Sequence, residues 1–341
     1  MVHVSRRAFT AALLSGLLPR YAKAQTSTIM VANDDVEFDD ILRERIDTLM
    51  RTGHGAEVLH EAPMEATDLI RSDATARPNG RNFDVICLDE LSMYGVAQSG
   101  LLAHINKTNL ATVDTIRPSL NKGTSIAILQ SIQAIAYNTR LVHSRPISLM
   151  ELWSEANRGR VGLSRKQIIA NTIYAAVAGG GSIMDLGPSR ARLQQWRSLD
   201  IKVYPSDAAL GAALKRGEVR LAMAPMASVY VWRKSDPSIN STVPQEGTIS
   251  IRQEVAVQSG TRDMAKAFAY LDLMLDPSFQ KRLALERGFV PTVKSVSSDI
   301  EIAGERTLGE RSQRSLWHAD LAYLWEQRAA ILRNWKEVFS A

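Results

Sequence analysis

Thiol chemistry is nearly absent from this sequence: one cysteine, Cys87, stands among 341 residues and cannot form a disulfide within the chain. It lies in the apolar run Val85-Ile86-Cys87-Leu88 with no activating base nearby, so it reads as a small buried side chain rather than a nucleophile. Histidines number six and are scattered, which removes the Cys/His clusters that a zinc site needs. "HEAPM" (60–64) lacks the second histidine of a zinc-protease helix, and no G-x-S-x-G elbow occurs. "AGGGSIMD" (178–185) lacks the Gly-Lys-Ser/Thr ending of a phosphate-binding loop and reads as a loop between helices. The carboxylate pairs Asp34/Asp35 and Asp89/Glu90 are left for acid–base work, but they would equally grip a cationic ligand or cap the helices after them. No metal and no cofactor is expected, and binding is favoured over catalysis.

Long apolar runs are lacking too. The one at the start, Ala8–Leu18, is shorter than the ~20 residues a membrane-spanning helix needs. It follows Arg6-Arg7 and precedes Ala22-Lys23-Ala24, and no acidic residue occurs before Asp34. A basic start, a short apolar middle and small residues two apart make a signal peptide over residues 1–24. Ser5-Arg6-Arg7-Ala8-Phe9 resembles the twin-arginine export motif, which implies a periplasmic destination. That segment holds four basic residues and no acidic one, so the net charge of +5 falls to +1 without it. The calculated pI of 9.3 is then mostly a property of the precursor, and no nucleic-acid partner is expected. Residues 25–341 are long enough for two lobes with separate cores.

Strand and helix signals alternate along this remainder, which implies an α/β architecture with largely parallel sheets. Residues 28–32 read as a strand, and 38–50 as a helix with apolar residues at helical spacing and Gly53 as its stop. A strand over 84–88 leads into a helix over 90–97. Residues 124–139 are apolar without helical periodicity and read as strand passing between lobes. "ISLMELWSEA" (147–156) reads as a helix with Ser148 and Glu151 as a capping box. A strand ending at Leu163-Ser164 precedes a helix over 166–178, and further helices are expected over 189–199, 206–216, 263–274 and 277–286. Extended segments fall at 219–224 and 248–257, and the aromatic tail carrying Trp317, Leu321, Leu324 and Arg328 is helical.

Several stretches, in order, resemble the spermidine/putrescine-binding branch of the periplasmic solute-binding proteins of ABC importers. "FDVICLDELSMYGVAQSGLLAHIN" (83–106) is similar to the family's strand, ligand loop and helix. "AIAYNTRLVHSRPISLMELWSEANRGRVGLS" (134–164) is similar to the crossing between lobes and the elements after it. "YPSDAALGAALKRGEVRLAMAPMAS" (204–228), "VPQEGTISIRQEVAVQSGTRDMAKAFAYLDLMLDP" (243–277) and "RGFVPTVKSV" (287–296) complete the set. The resemblance covers most of residues 28–295 and implies a two-lobed periplasmic binding protein fold of type II, with a ligand cleft between lobes. Residues 25–132 with 255–297 would form lobe 1, and 133–254 with 298–341 lobe 2. The hinge would lie near 132–136 and 250–255, with a third passage near 295–300.

The resemblance implies a small-molecule ligand, an inner-membrane ABC permease as partner and a monomer. Ligands in open α/β sheets bind beyond the carboxyl ends of strands. The candidate ligand residues are therefore Asp34, Glu37, Asp89, Glu90, Ser164, Arg165, Met226 and Gln253. They depart from the polyamine pattern. Asp34 and Glu37 stand where the family has aromatics, and Arg165 and Lys166 where it has carboxylates. Pro225-Met226 replaces Trp-Asn, and Ile251 and Gln253 replace Trp and Asp. The guanidinium of Arg165 suits a carboxylate or phosphate, and Asp34 or Asp89 an amine. The expected ligand is an organic acid or an amino-acid-like zwitterion, with a polyamine as alternative and an exported enzyme on the same scaffold as a second class. An iron site is disfavoured, because the expected tyrosine pair is reduced to Tyr230.

Overall fold

A computed structural model describes residues 27–33, 36–62, 83–296, 301–302, 305–306 and 316–339, with backbone only at 36–37, 301–302 and 305–306. The expected signal peptide and Asp34 lie outside the described residues, and so does the side chain of Glu37.

Strand β1 (Ser27–Asn33) is followed by α1 (Val36–Leu42), a π-helical turn (Arg43–Asp47) and α2 (Thr48–His54). Phe38, Leu42, Ile46 and Met50 are all buried, at a strict four-residue spacing. A regular helix of 3.6 residues per turn would rotate such a series off the core. The wider π turn absorbs the mismatch and keeps all four on one face. The helix stops at Gly55, two residues after the expected Gly53, because Gly55 takes the left-handed conformation (φ 60°) and donates its N–H to the Met50 carbonyl.

Strand β2 (Ala56–Glu61) runs parallel to β1, and β3 (Val85–Asp89) lies parallel on the other side of β1. Helix α3 (Glu90–Gln98) starts directly after β3. Every residue of the long strand β4 (Ile126–Asn138) is buried. The capping box at Ser148 and Glu151 forms, but it opens a 3₁₀ turn (Leu149–Trp153) and then a second (Glu155–Asn157), where an α-helix was expected. Trp153 there stacks on Trp196 with ring centroids 4.1 Å apart.

Strand β5 (Val161–Ser164), a 3₁₀ turn (Arg165–Gln167) and α4 (Ile168–Ala178) follow, then α5 (Ser189–Ser198), β6 (Lys202–Tyr204) and α6 (Asp207–Arg216). Strand β7 (Leu221–Pro225) runs straight into α7 (Met226–Ser235), so Met226, expected among the ligand residues, is the first residue of a helix. The rest comprises β8 (Ile239–Thr242), β9 (Ser250–Val257), α8 (Met264–Met274), α9 (Pro277–Arg287) and the C-terminal helix α10 (Leu321–Phe339). None of the described helices is long and apolar enough to cross a membrane.

The main sheet has the order β2-β1-β3-β9-β4-β7-β5-β6, with β8 also on β4. The flanking pairs β1–β2, β1–β3, β5–β6 and β5–β7 are parallel. The central pairs β3–β9, β4–β9, β4–β7 and β4–β8 are antiparallel, which corrects the expectation of a largely parallel sheet. The reason is topological: strands that carry the chain from one half to the other and back run in opposite directions. Strand β4 makes the passage. Its residues 126–132 pair with β9, and from Gln133 on it pairs with β7 and β8. Each half has its own core. One joins β1, the α1–α2 helix, β9, α8 and α9. The other joins β5, α4, α5 and α10, including Trp196, Ile173 and Trp335.

Candidate functional site

A cleft of about 460 Å³ opens between the two halves of the sheet. Helices α3, α4 with its 3₁₀ lead-in, α6 and α7 all present first-turn residues to it, among them Glu90, Lys166, Asp207 and Ser228. Each follows the carboxyl end of a strand, so their positive dipole ends converge on one space. Such convergence favours negative charge.

On the first half, Asp89 ends β3 and caps α3, its Oδ1 accepting from the Leu91 and Ser92 N–H groups at 3.0 and 3.1 Å. Of the three readings that the sequence left open for this carboxylate, acid–base work, a grip on a cation and a helix cap, the cap is the one seen. Glu90 Oε1 accepts from Arg252 Nη1 at 2.8 Å and from Lys122 Nζ at 2.6 Å. Lys122 also reaches Glu254 Oε1 at 2.9 Å, and Ser125 Oγ donates to Glu254 Oε2 at 2.7 Å. Glu254 is 2 % exposed, and burial pushes its carboxyl above its ordinary range, against the opposing pull of Lys122 and Ser125. Arg252 is thus oriented by Glu90, and its buried Nε has no hydrogen-bond partner among the described residues.

On the second half, Arg165 and Lys166 are exposed and line the cleft, as does Gln167, whose Nε2 donates to Asp207 Oδ2 at 2.9 Å. Arg165 makes no ion pair among the described residues. Ser164 is fully buried: its Oγ accepts from the Lys166 N–H at 3.2 Å, so it shapes the turn that presents Arg165. Met226 is 8 % exposed, and neither it nor Ser164 is part of the cleft lining; Pro225 and Ser228 face the cleft instead.

The cleft therefore brings together Asp89, Glu90, Arg165 and Gln253 of the residues singled out from sequence. Among the residues it adds are Arg252, Arg287, Trp317 and Arg328. Arg252 sits one residue from Gln253, so that crossing segment already pointed to it. Arg287, Trp317 and Arg328 come from the ends of α9 and from the C-terminal segment, and no local pattern announces them. The described lining carries Arg165, Lys166, Arg252, Arg287 and Arg328 against Asp89, Glu90 and Asp207. Apolar surface from Leu129, Ile251, Phe289 and Trp317 completes the wall.

Residues 51–307 match the family model described as bacterial extracellular solute-binding protein. The chain belongs to that family. Solved structures with the same fold include the Atu4243-GABA receptor, at 18 % identity, TM-score 0.76 and coverage of 92 % of this chain and 97 % of that one. PotD, the spermidine/putrescine ABC transporter substrate-binding protein of Streptococcus pneumoniae, is 14 % identical with TM-score 0.68, covering 92 % and 98 %. AgtB from A. tumefaciens R10, in complex with agropinic acid, is 14 % identical with TM-score 0.69, covering 92 % and 99 %. No curated protein matches the chain. At these identities the likeness is one of fold: a two-lobed α/β periplasmic binding protein. In a solute-binding protein of this fold, the space between the lobes is where a ligand would touch both.

Proposed function

We propose that this solute-binding protein is the capture component of an ABC importer, exported by the twin-arginine route to the periplasm, and that its ligand is a small organic acid or amino-acid-like zwitterion. The observation that carries the ligand class is the state of the cleft's charges. Every described carboxylate there is engaged within the protein: Asp89 by the α3 N-terminus, Glu90 by Arg252 and Lys122, and Asp207 by Gln167. The Arg165 guanidinium is free to form a forked pair with a carboxylate or phosphate. A polyamine would need the reverse, free carboxylates at each ammonium.

Capture is closure. A ligand touching both lobes stabilises the closed arrangement by no more than the difference between its affinities for the two states. The hinge is assigned to the passage of β4 at Ile132-Gln133 and the return near Ile249-Ser250. The closed lobes would then dock on the permease, as a monomer, with no chemistry done on the ligand.

A thermal-shift screen of the purified protein against polyamines, ω-amino acids, organic acids and sugar phosphates tests this reading. A ligand at ~100 times its Kd stabilises the native state by about 2.7 kcal/mol, which is visible as a raised midpoint. The expected result is a rise with a carboxylate-bearing compound that is lost in Arg165→Ala. A rise with putrescine that survives Arg165→Ala would overturn it and move the site to the acidic turns.

A further inference from the structure

Helix α10 is shared between the lobes. Leu324, Ile331, Trp335 and Val338, spaced along one stripe, are buried in the second lobe's core. Trp325 lies one position round the helix and packs against both that core and a separate cluster of the first lobe containing Ile86, Leu88, Met93 and Val96. Its indole lies on the backbone of Gly95, in the middle of α3. A Cβ at Gly95 would stand 2.1 Å from Trp325 Cη2, so only glycine admits the ring. Continuing along the same stripe, Arg328 and Leu332 line the cleft, and the Arg328 guanidinium lies 5.7 Å from the Trp325 ring centre. Leu91, in the first turn of α3, is buried in the second lobe's core beside this helix.

We propose that α10 is a latch across the cleft and that Trp325 is its positioning residue: seated on Gly95, it holds the first lobe's ligand-facing turn, Asp89–Ser92, against the second lobe. The proposal rests on the capture reading above, because a latch matters only to lobes that open and close. Opening must lift the indole off Gly95, while the remainder of α10 travels with the second lobe. The same movement withdraws Arg328 from the first lobe. Trp325 thus sets both how readily the cleft opens and whether the C-terminal wall meets the ligand.

The test needs no ligand. Spin labels at Glu44→Cys and Glu155→Cys, exposed positions one on each lobe, report the inter-lobe distance in the full chain, with the buried Cys87 left unlabelled. Trp325→Ala is expected to shift the distribution to longer distances by several ångströms or to add a longer population, and Trp325→Phe to retain most of the parental distribution. Gly95→Ala is expected to reproduce Trp325→Ala by displacing the ring, and to have no further effect in the Trp325→Ala background. A distance distribution unchanged by Trp325→Ala, in a protein whose circular dichroism is also unchanged, overturns the latch. Additive effects of the two substitutions overturn the seating on Gly95. If the distances shift but the solute screen finds no ligand, the latch stands and the capture reading is the one that fails.

Discussion

Glu254 is a residue at which burial and charge pairing oppose each other. The burial cost dominates, since its carboxyl is held above its ordinary value of 4.5 despite Lys122 and Ser125. A carboxyl whose folded-state pKa is raised binds its proton more tightly folded than unfolded. Its penalty is fully present above the folded pKa and is relieved as pH falls through that value toward 4.5. Glu254→Gln removes the titration and keeps an acceptor for Ser125. The expected outcome is that the midpoint of the parent, measured against Glu254→Gln, rises as the solution is acidified from neutrality. Lys122→Met acts in the other sense, because it strips Glu254 and Glu90 of a shared cation. Removing one partner of a buried pair costs about 3–5 kcal/mol, and the half-exposed lysine places this case at or below the lower end. Urea denaturation at neutral pH measures it, and a loss larger in Glu254→Gln than in Lys122→Met would show that burial is not the dominant cause.

Helices and strands were legible from sequence wherever local signals agreed with packing. Asp263 and Asp276 cap α8 and α9 through their side chains, and Ser206 accepts from the Ala209 N–H at 3.1 Å to start α6 where expected. Ser206→Ala should cost about 1 kcal/mol, read as a lower denaturation midpoint, and should loosen the turn that carries Asp207 into the cleft. Gly217, the stop of α6, has φ 73°, and an alanine there would also meet Leu141 Cδ1 at 3.2 Å. Helix α7 was not legible, since Val229, Tyr230, Val231 and Trp232 favour strand by propensity. Packing overrides it: Trp232 lies against Gly211 of α6, where a Cβ would stand 2.3 Å from Cε2. The four-residue spacing of Phe38, Leu42 and Ile46 signalled a helix but gave no hint that a π turn would be needed to keep them aligned. The lining of the candidate cleft was half legible for the same kind of reason. Strand-to-helix turns announce themselves, so Asp89, Glu90 and Arg165 could be picked out. Arg287 and Arg328 reach the cleft only through the way whole helices pack.

Across the whole molecule, the passage between lobes is tied by a buried network. Thr248 Oγ1 donates to the Gln133 carbonyl at 2.6 Å and meets the Tyr174 hydroxyl at 2.9 Å, and burial pushes that hydroxyl far above its usual range. The two inter-lobe passages are thus fastened to each other and to α4. The chain's net charge is small once residues 1–24 are set aside, so under the proposed reading an anion would be attracted locally, by cations gathered where helix N-termini also converge. Low-dielectric walls focus such a field, and salt screens it over about 10 Å at ~0.1 M. The association rate of the carboxylate-bearing ligand should therefore fall by roughly tenfold from low to high ionic strength, while its dissociation rate changes little. Stopped-flow tryptophan fluorescence, with Trp317 in the cleft wall as reporter, measures both rates. A salt-independent association rate would mean that the cationic lining does not steer capture. The arginines would then act only after entry, as contacts made when the lobes close.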